Sequence, residues 1–132
     1  MNKYYYPAVF QPEEVGYSIW LYDVDGCISQ GDSLQEAIEN IREAFGLYCE
    51  EYKSQSTEFP EATNPAKIPL DEGQFVALIE FDWLEYQKKY NSKAVKKTLS
   101  IPAWLNTIAE ENNVNFSGIL QDALTERLNL NN

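Results

Sequence analysis

The stretch Leu34–Tyr52 places the strongest constraint on the fold. Its apolar side chains stand at Leu34, Ala37, Ile38, Ile41, Ala44, Phe45, Tyr48, Cys49 and Tyr52. The spacing, 3,1,3,3,1,3,1,3, lays them along one face of an α-helix. Ser33-Leu34-Gln35-Glu36 is a capping box at its start: the Ser33 hydroxyl can accept from the Glu36 N–H, and Glu36 can reach back. The outer face carries Glu36, Glu39, Glu43, Glu50 and Glu51. A helix with one apolar face needs a second layer to cover it, and the segments on either side read as strands.

Tyr4–Phe10 is aromatic and β-branched with Pro7 inside it, which predicts an edge strand or a local irregularity. Gln11–Gly16 is turn chemistry. Tyr17–Tyr22 then reads as the second strand of a hairpin, with Tyr17, Ile19 and Leu21 on one face and Ser18, Trp20 and Tyr22 on the other. Two large aromatics on the second face predict that it too is covered, by the chain or by a partner. The turn Asp23-Val24-Asp25-Gly26 leads to a short strand, Cys27–Gln30. Lys53–Pro69 holds Pro60, Pro65 and Pro69 among polar residues and reads as a long loop. Phe75–Phe81 is almost continuously apolar, as expected for the middle of a sheet. The order β-β-β-α-β predicts an α+β layer with one helix packed on a sheet.

Composition decides what such a layer can do. The chain has 132 residues, 44% of them hydrophobic, enough for one domain or two small ones with a core. There is no histidine, which excludes a Ser–His–Asp or Cys–His nucleophile and any imidazole metal site. The net charge is −11, which spread evenly would repel phosphate backbones. It is not spread evenly. Divided at Asn91-Ser92, residues 1–91 hold 6 bases and 17 acids, net −11, and residues 92–132 hold 4 of each. An excess of this size points to a basic protein partner, although the acidic helix face also reads as a solvated surface. Asp23, Asp25 and Asp32 could together hold Mg²⁺ for a nuclease. Turn and N-cap preference accounts for the same residues, and no metal-loop spacing or phosphate cradle accompanies them. Cys27 and Cys49 have no CxxC spacing, and Cys49 reads as a small buried hydrophobe. The start of the chain, Met1–Tyr6, has no long apolar leader, and no run reaches a membrane span. The expectation is a cytoplasmic protein with reduced thiols and no cofactor.

Residues 92–132 follow a different pattern. Val95–Ile101 is a short strand with Val95, Leu99 and Ile101 on one face beside an intruding Lys97, and Lys96, Thr98 and Ser100 on the other. Pro102 opens a helix, Ala103–Asn112, that Asn112-Asn113 can end with a left-handed turn. Asn115 is an N-cap for a second helix, with Ile119, Leu120, Ala123, Leu124 and Leu128 on one face. A unit this small, with no metal or disulfide, is expected to fold by pairing with a second copy. Two such strands would form an antiparallel ribbon over four helices.

The pattern Leu99-x-Ile101-Pro102-x-x-Leu105, the turn Val114–Ser117 and the helix Ile119-Leu120-x-x-Ala123-Leu124 together resemble the ribbon-helix-helix family of major-groove readers. The first part resembles the HicB antitoxin domain in Tyr6–Phe10, Gly16–Ile19, Asp25–Cys27, Gln30–Ala37 and Glu43-Ala44. The two resemblances cover nearly the whole chain.

The HicB resemblance implies a partial ribonuclease-H-like domain over residues 1–91 without that enzyme's activity. Its implied partner is a small basic HicA-type toxin that cleaves mRNA. Trp20, Tyr22, Asp23 and Asp25 are the candidate toxin contacts. The ribbon-helix-helix resemblance implies a homodimeric domain over residues 92–132 that represses its own operon. Lys96, Thr98 and Ser100 would meet base edges of the operator DNA, and Asn115, Phe116 and Ser117 would hold a phosphate at a helix N-terminus. Two other readings remain open. One is a ligand-sensing repressor without a toxin, holding a small molecule at Trp20 and Tyr22. The other is the metal-dependent nuclease of Asp23, Asp25 and Asp32.

Overall fold

The computed structural model describes residues 3–130. Met1 and Asn2 of the N-terminal stretch, and Asn131 and Asn132 at the end of the C-terminal segment, lie outside the described residues. The chain divides into two compact units, residues 1–93 and 94–132.

The first unit is a helix on a sheet. Strands β1 (Lys3–Pro12), β2 (Tyr17–Leu21), β3 (Ile28–Gly31) and β4 (Phe75–Asp82) form one antiparallel sheet in the order β3-β2-β1-β4. Helix α1 (Leu34–Ser54) covers one face. The Ser33 hydroxyl accepts from the Glu36 N–H at 3.1 Å, as the capping box predicts. The stripe of α1 delivers Ala37, Ile41, Phe45 and Cys49 to the core, against Tyr6, Ala8 and Phe10 of β1 and Ile19 and Leu21 of β2. The β1–β2 turn closes through the Glu13 N–H on the Gly16 carbonyl at 2.9 Å. Only glycine fits at Gly16: φ is +74°, and a Cβ there would lie 2.1 Å from the Gly31 carbonyl oxygen.

Two strand positions differ from the sequence reading: the edge alternative for the strand holding Pro7, and the central place read for Phe75–Phe81. Pro7 sits in β1, which is an interior strand between β2 and β4. The β1–β2 ladder begins only at Ala8↔Leu21. The Pro7 carbonyl still accepts from the Tyr22 N–H at 3.1 Å, so the N–H that proline lacks would have faced the same side, where β2 has already ended. Conversely, the apolar run Phe75–Phe81 lies in β4, at the edge of the sheet. Its Ile79 and Phe81 enter the core, but Leu78 on the other face is 57% exposed. A run apolar on both faces reads as central, yet no other described element of the first unit covers this second face.

A further helix, α2 (Trp83–Tyr90), follows β4 directly and was not expected from the periodicity. Asp82 caps it, accepting from the N–H groups of Leu84 and Glu85 at 3.0 and 3.3 Å. Its Tyr86 is buried in the core cluster. The proline-rich loop is pinned to the sheet: Phe59 stacks on Tyr4 at 4.4 Å, and the Tyr6 hydroxyl donates to the Pro60 carbonyl.

The second unit holds α3 (Ala103–Glu111) and α4 (Phe116–Arg127). Asn113, at φ +53°, makes the left-handed turn between them. Among the described residues the predicted strand Val95–Ile101 has no strand pairing, and it is exposed throughout. A β-strand needs a neighbour to bond with, and a single copy of this unit supplies none.

Candidate functional site

Two surfaces collect the residues singled out by the sequence. The first is the face of the sheet opposite α1. Alternation along the strands places Tyr5, Pro7 and Val9 of β1, Trp20 of β2, Ile28 of β3, and Val76, Leu78 and Glu80 of β4 on this face. Register confirms the neighbours: Val9 stands opposite both Trp20 and Val76, Trp20 opposite Ile28, and Pro7 opposite Leu78. Pro7 and Val9 are buried among these side chains, while Tyr5, Ile28 and Leu78 are 52%, 64% and 57% exposed. Glu80 accepts from the Tyr5 hydroxyl at 2.9 Å and lies 3.9 Å from Lys3 Nζ.

Of the four expected toxin contacts, Trp20 is on this face and half-buried. Tyr22, just past β2, is 40% exposed. Asp25 is exposed in the β2–β3 turn. Asp23 is engaged inside the chain: its Oδ2 accepts from the Thr63 N–H at 2.9 Å and its Oδ1 from the Thr63 hydroxyl. That carboxylate anchors the proline-rich loop. Asp23, Asp25 and Asp32 do not gather: among the described residues no three His, Cys, Asp or Glu side chains could hold a metal together. Tyr5, Val9, Ile28 and Leu78 were missed by sequence reasoning. The signal for the β4 residues is the doubly apolar run itself, which marks a second face needing a cover.

The cysteines offer no reactive site. Burial pushes the Cys27 thiol up to about 12 and the Cys49 thiol up to about 11. Both side chains are at most 1% exposed.

The second surface lies within the second unit. Lys96, Thr98 and Ser100 alternate along the exposed extended segment. Leu99, Ile101, Leu105, Phe116, Ile119 and Leu120 line an open apolar groove of about 700 Å³. Leu99, Ile101, Ile119 and Leu124 remain 46–56% exposed, and no described residue of this unit is buried. Asn115 caps α4, its side-chain oxygen accepting from the Gly118 N–H at 3.0 Å. Phe116 and Ser117 occupy the first turn, where backbone N–H groups have no intrahelical acceptor. Arg127 is the base in the last turn of α4, at its far end.

Among the described residues no helix is long and apolar enough to cross a membrane.

Comparison with known proteins places the chain by family and by fold. A family model described as HicB-like antitoxin of bacterial toxin-antitoxin system matches residues 6–124. A UPF0150 protein of Helicobacter pylori is 34% identical over 64 residues, which are 48% of this chain and 89% of that one. Among solved structures, a chain of a toxin–antitoxin complex from Streptococcus pneumoniae superposes with a TM-score of 0.60 at 24% identity, covering 95% of this chain and 99% of that one. The Burkholderia pseudomallei antitoxin HicB superposes with a TM-score of 0.53 at 22% identity, covering 95% and 98%. At these identities the likeness is one of fold.

Proposed function

The chain belongs to the HicB-like antitoxins of bacterial toxin–antitoxin systems, and from that premise we propose that it neutralises a small basic HicA-type mRNA-cleaving toxin in the cytoplasm and represses its own operon. The observation that carries the first half is the charge partition within that family match. Net −11 falls in residues 1–91, a surface suited to a protein that itself holds phosphates. A solved complex of HicA3 and HicB3, which superposes with a TM-score of 0.50, supports the choice of partner. The first unit acts as a binding domain, a partial ribonuclease-H-like arrangement without catalysis. Trp20, Tyr22 and Asp25 are its proposed contacts, with Asp23 shaping their loop.

The second unit is proposed to be a ribbon-helix-helix domain completed by a second copy. What supports this is the exposed segment Val95–Ile101 and a groove of apolar side chains that one copy leaves uncovered. Pairing the two segments would supply the missing ladder and bury Leu99, Ile101, Leu105 and Ile119. Lys96, Thr98 and Ser100 would then line the outer ribbon face toward base edges of the operator. The N–H groups of Phe116 and Ser117, ordered by the Asn115 cap, would meet a phosphate.

Co-expression with the basic protein of the adjacent reading frame tests the toxin half. Growth should be rescued and the two proteins should co-purify; failure of both sinks it. For the DNA half, replacing Lys96, Thr98 and Ser100 with Ala should weaken binding to the operon's own promoter fragment while the protein stays dimeric. Unchanged affinity removes those residues from the DNA face.

A further inference from the structure

We propose that the open face of the sheet, well beyond Trp20 and Tyr22, is the surface on which the basic partner docks, with Ile28 and Leu78 at its two edges. The proposal rests on the reading of that partner as a small basic toxin. Three observations point to it.

First, the face is built as an interface centre. Pro7 and Val9 form a floor, Trp20 and Val76 stand beside Val9, and Ile28 and Leu78 flank them on the outermost strands. Apolar and aromatic side chains at the centre of a patch are where binding energy concentrates. Such a continuous apolar face on a sheet is uncommon on a surface that stays solvated.

Second, the acids stand around this centre rather than in it. Glu13 and Glu14 lie in the β1–β2 turn at one end, Asp25 in the β2–β3 turn at the other, and Glu80 on β4 at the side; all four are exposed. Glu80 is the acid on the face itself, and its charge is already shared with Lys3 and the Tyr5 hydroxyl. An apolar centre with an anionic rim complements a basic protein that has an apolar patch of its own.

Third, the rim selects between occupants. A second copy docked by a two-fold axis would bring acid rim against acid rim, in a unit already at net −11 over residues 1–91. The outer face of α1 is the other acidic surface, but Leu47 is its only large exposed apolar residue and it has no exposed aromatic anchor. It is a solvated face.

The test uses the full chain, the purified basic protein of the adjacent reading frame, and titration calorimetry. Ile28→Lys and Leu78→Lys each place a like charge on opposite edges of the patch, at exposed positions that the core does not need. Thermal melting followed by circular dichroism checks that each variant is folded, and either one alone suffices. Each should weaken binding at least about 30-fold. The double variant Glu39→Lys, Glu43→Lys on the outer face of α1 should change it by no more than about fivefold. The reverse pattern overturns the proposal and moves the site to the helix, leaving the toxin reading intact. Ile28→Lys or Leu78→Lys altering the oligomeric state by light scattering, with toxin affinity unchanged, overturns it in favour of a second copy. If the wild-type chain does not bind the basic protein at all, the toxin reading itself falls.

Discussion

Gly46 is where the two helices of the first unit touch. A Cβ at this position would lie 1.9 Å from the Tyr86 ring, so α2 can approach α1 only because the side chain is missing. Ala is ordinarily the better helix residue by up to about 1 kcal/mol. Here Gly46→Ala should instead destabilise the unit by roughly 1–3 kcal/mol through overpacking, read as a lower urea midpoint. Stabilisation would mean that Tyr86 is not held against the helix. Four titratable side chains set a second residue-scale expectation. Burial raises Cys27 to about 12 and Cys49 to about 11 from 9.0, and Tyr6 and Tyr86 to about 12 from 10.0. Each is held neutral in the folded state and ionises first in the unfolded chain. Their contribution is therefore fully present below the unfolded values and is lost as pH rises from about 9 toward 12. The urea midpoint should fall across that window and stay flat, as far as these groups are concerned, between pH 6 and about 8. In the native state both thiols should react with a thiol reagent only as fast as the unit opens.

At the scale of elements, local chemistry and pairing partners separate. Asn115 holds the first turn of α4 through its bond to the Gly118 N–H. Asn115→Ala should cost about 1 kcal/mol of stability and loosen the turn that is proposed to meet phosphate. DNA affinity should drop while its sequence preference is kept, since base-edge residues are untouched. A change of preference would reassign this turn to base reading. Helix α1 and the β1–β2 hairpin are legible in the sequence because their evidence is local: a 3.6-residue period, a capping box, and two aromatic-rich runs around a Gly turn. Helix α4 and its cap are legible for the same reason. What the sequence conceals is everything set by neighbours. Pro7 suggests an edge, yet β1 is interior because β2 ends where the missing donor would have pointed. The run in β4 suggests a centre, yet β4 is an edge strand with Leu78 exposed on its second face. Helix α2 carries a readable start signal, Asp82 three residues before Glu85, but its eight residues are too short to show a period. Of the candidate site, Trp20 and Tyr22 follow from strand alternation, whereas Tyr5, Val9, Ile28 and Leu78 join them only once the strand order is known. That Asp23 binds Thr63, 40 residues away, has no local trace at all.

For the whole molecule, the two units are built on different terms. Residues 1–93 enclose a core of their own, while the described part of residues 94–132 buries no side chain. Heating should therefore give two transitions. The one belonging to the second unit should rise with protein concentration, because its folded form is proposed to need a second copy, and the other should not. A single concentration-independent transition would count against the dimeric ribbon. Operator binding should also fall with salt, with log K dropping by about 0.9 per phosphate contacted for each unit of log salt. The shallow slope of only a few contacts is expected from a segment with four bases.

The pairing of β1 with β4 also sets a timetable for synthesis. Lys3 finds its partner in Asp82. The strand that precedes the others of its unit is thus completed by one of the last pieces of that unit. While the ribosome makes the proline-rich loop and β4, a nascent chain already holding β1, β2, β3 and α1 has one flank of its central strand unpaired and Phe45 without Phe81 against it. At about 5–20 residues per second, that wait lasts on the order of seconds. A pause or a premature stop within the loop would release a chain whose β1 still lacks its edge partner β4, a natural target for chaperones and proteases.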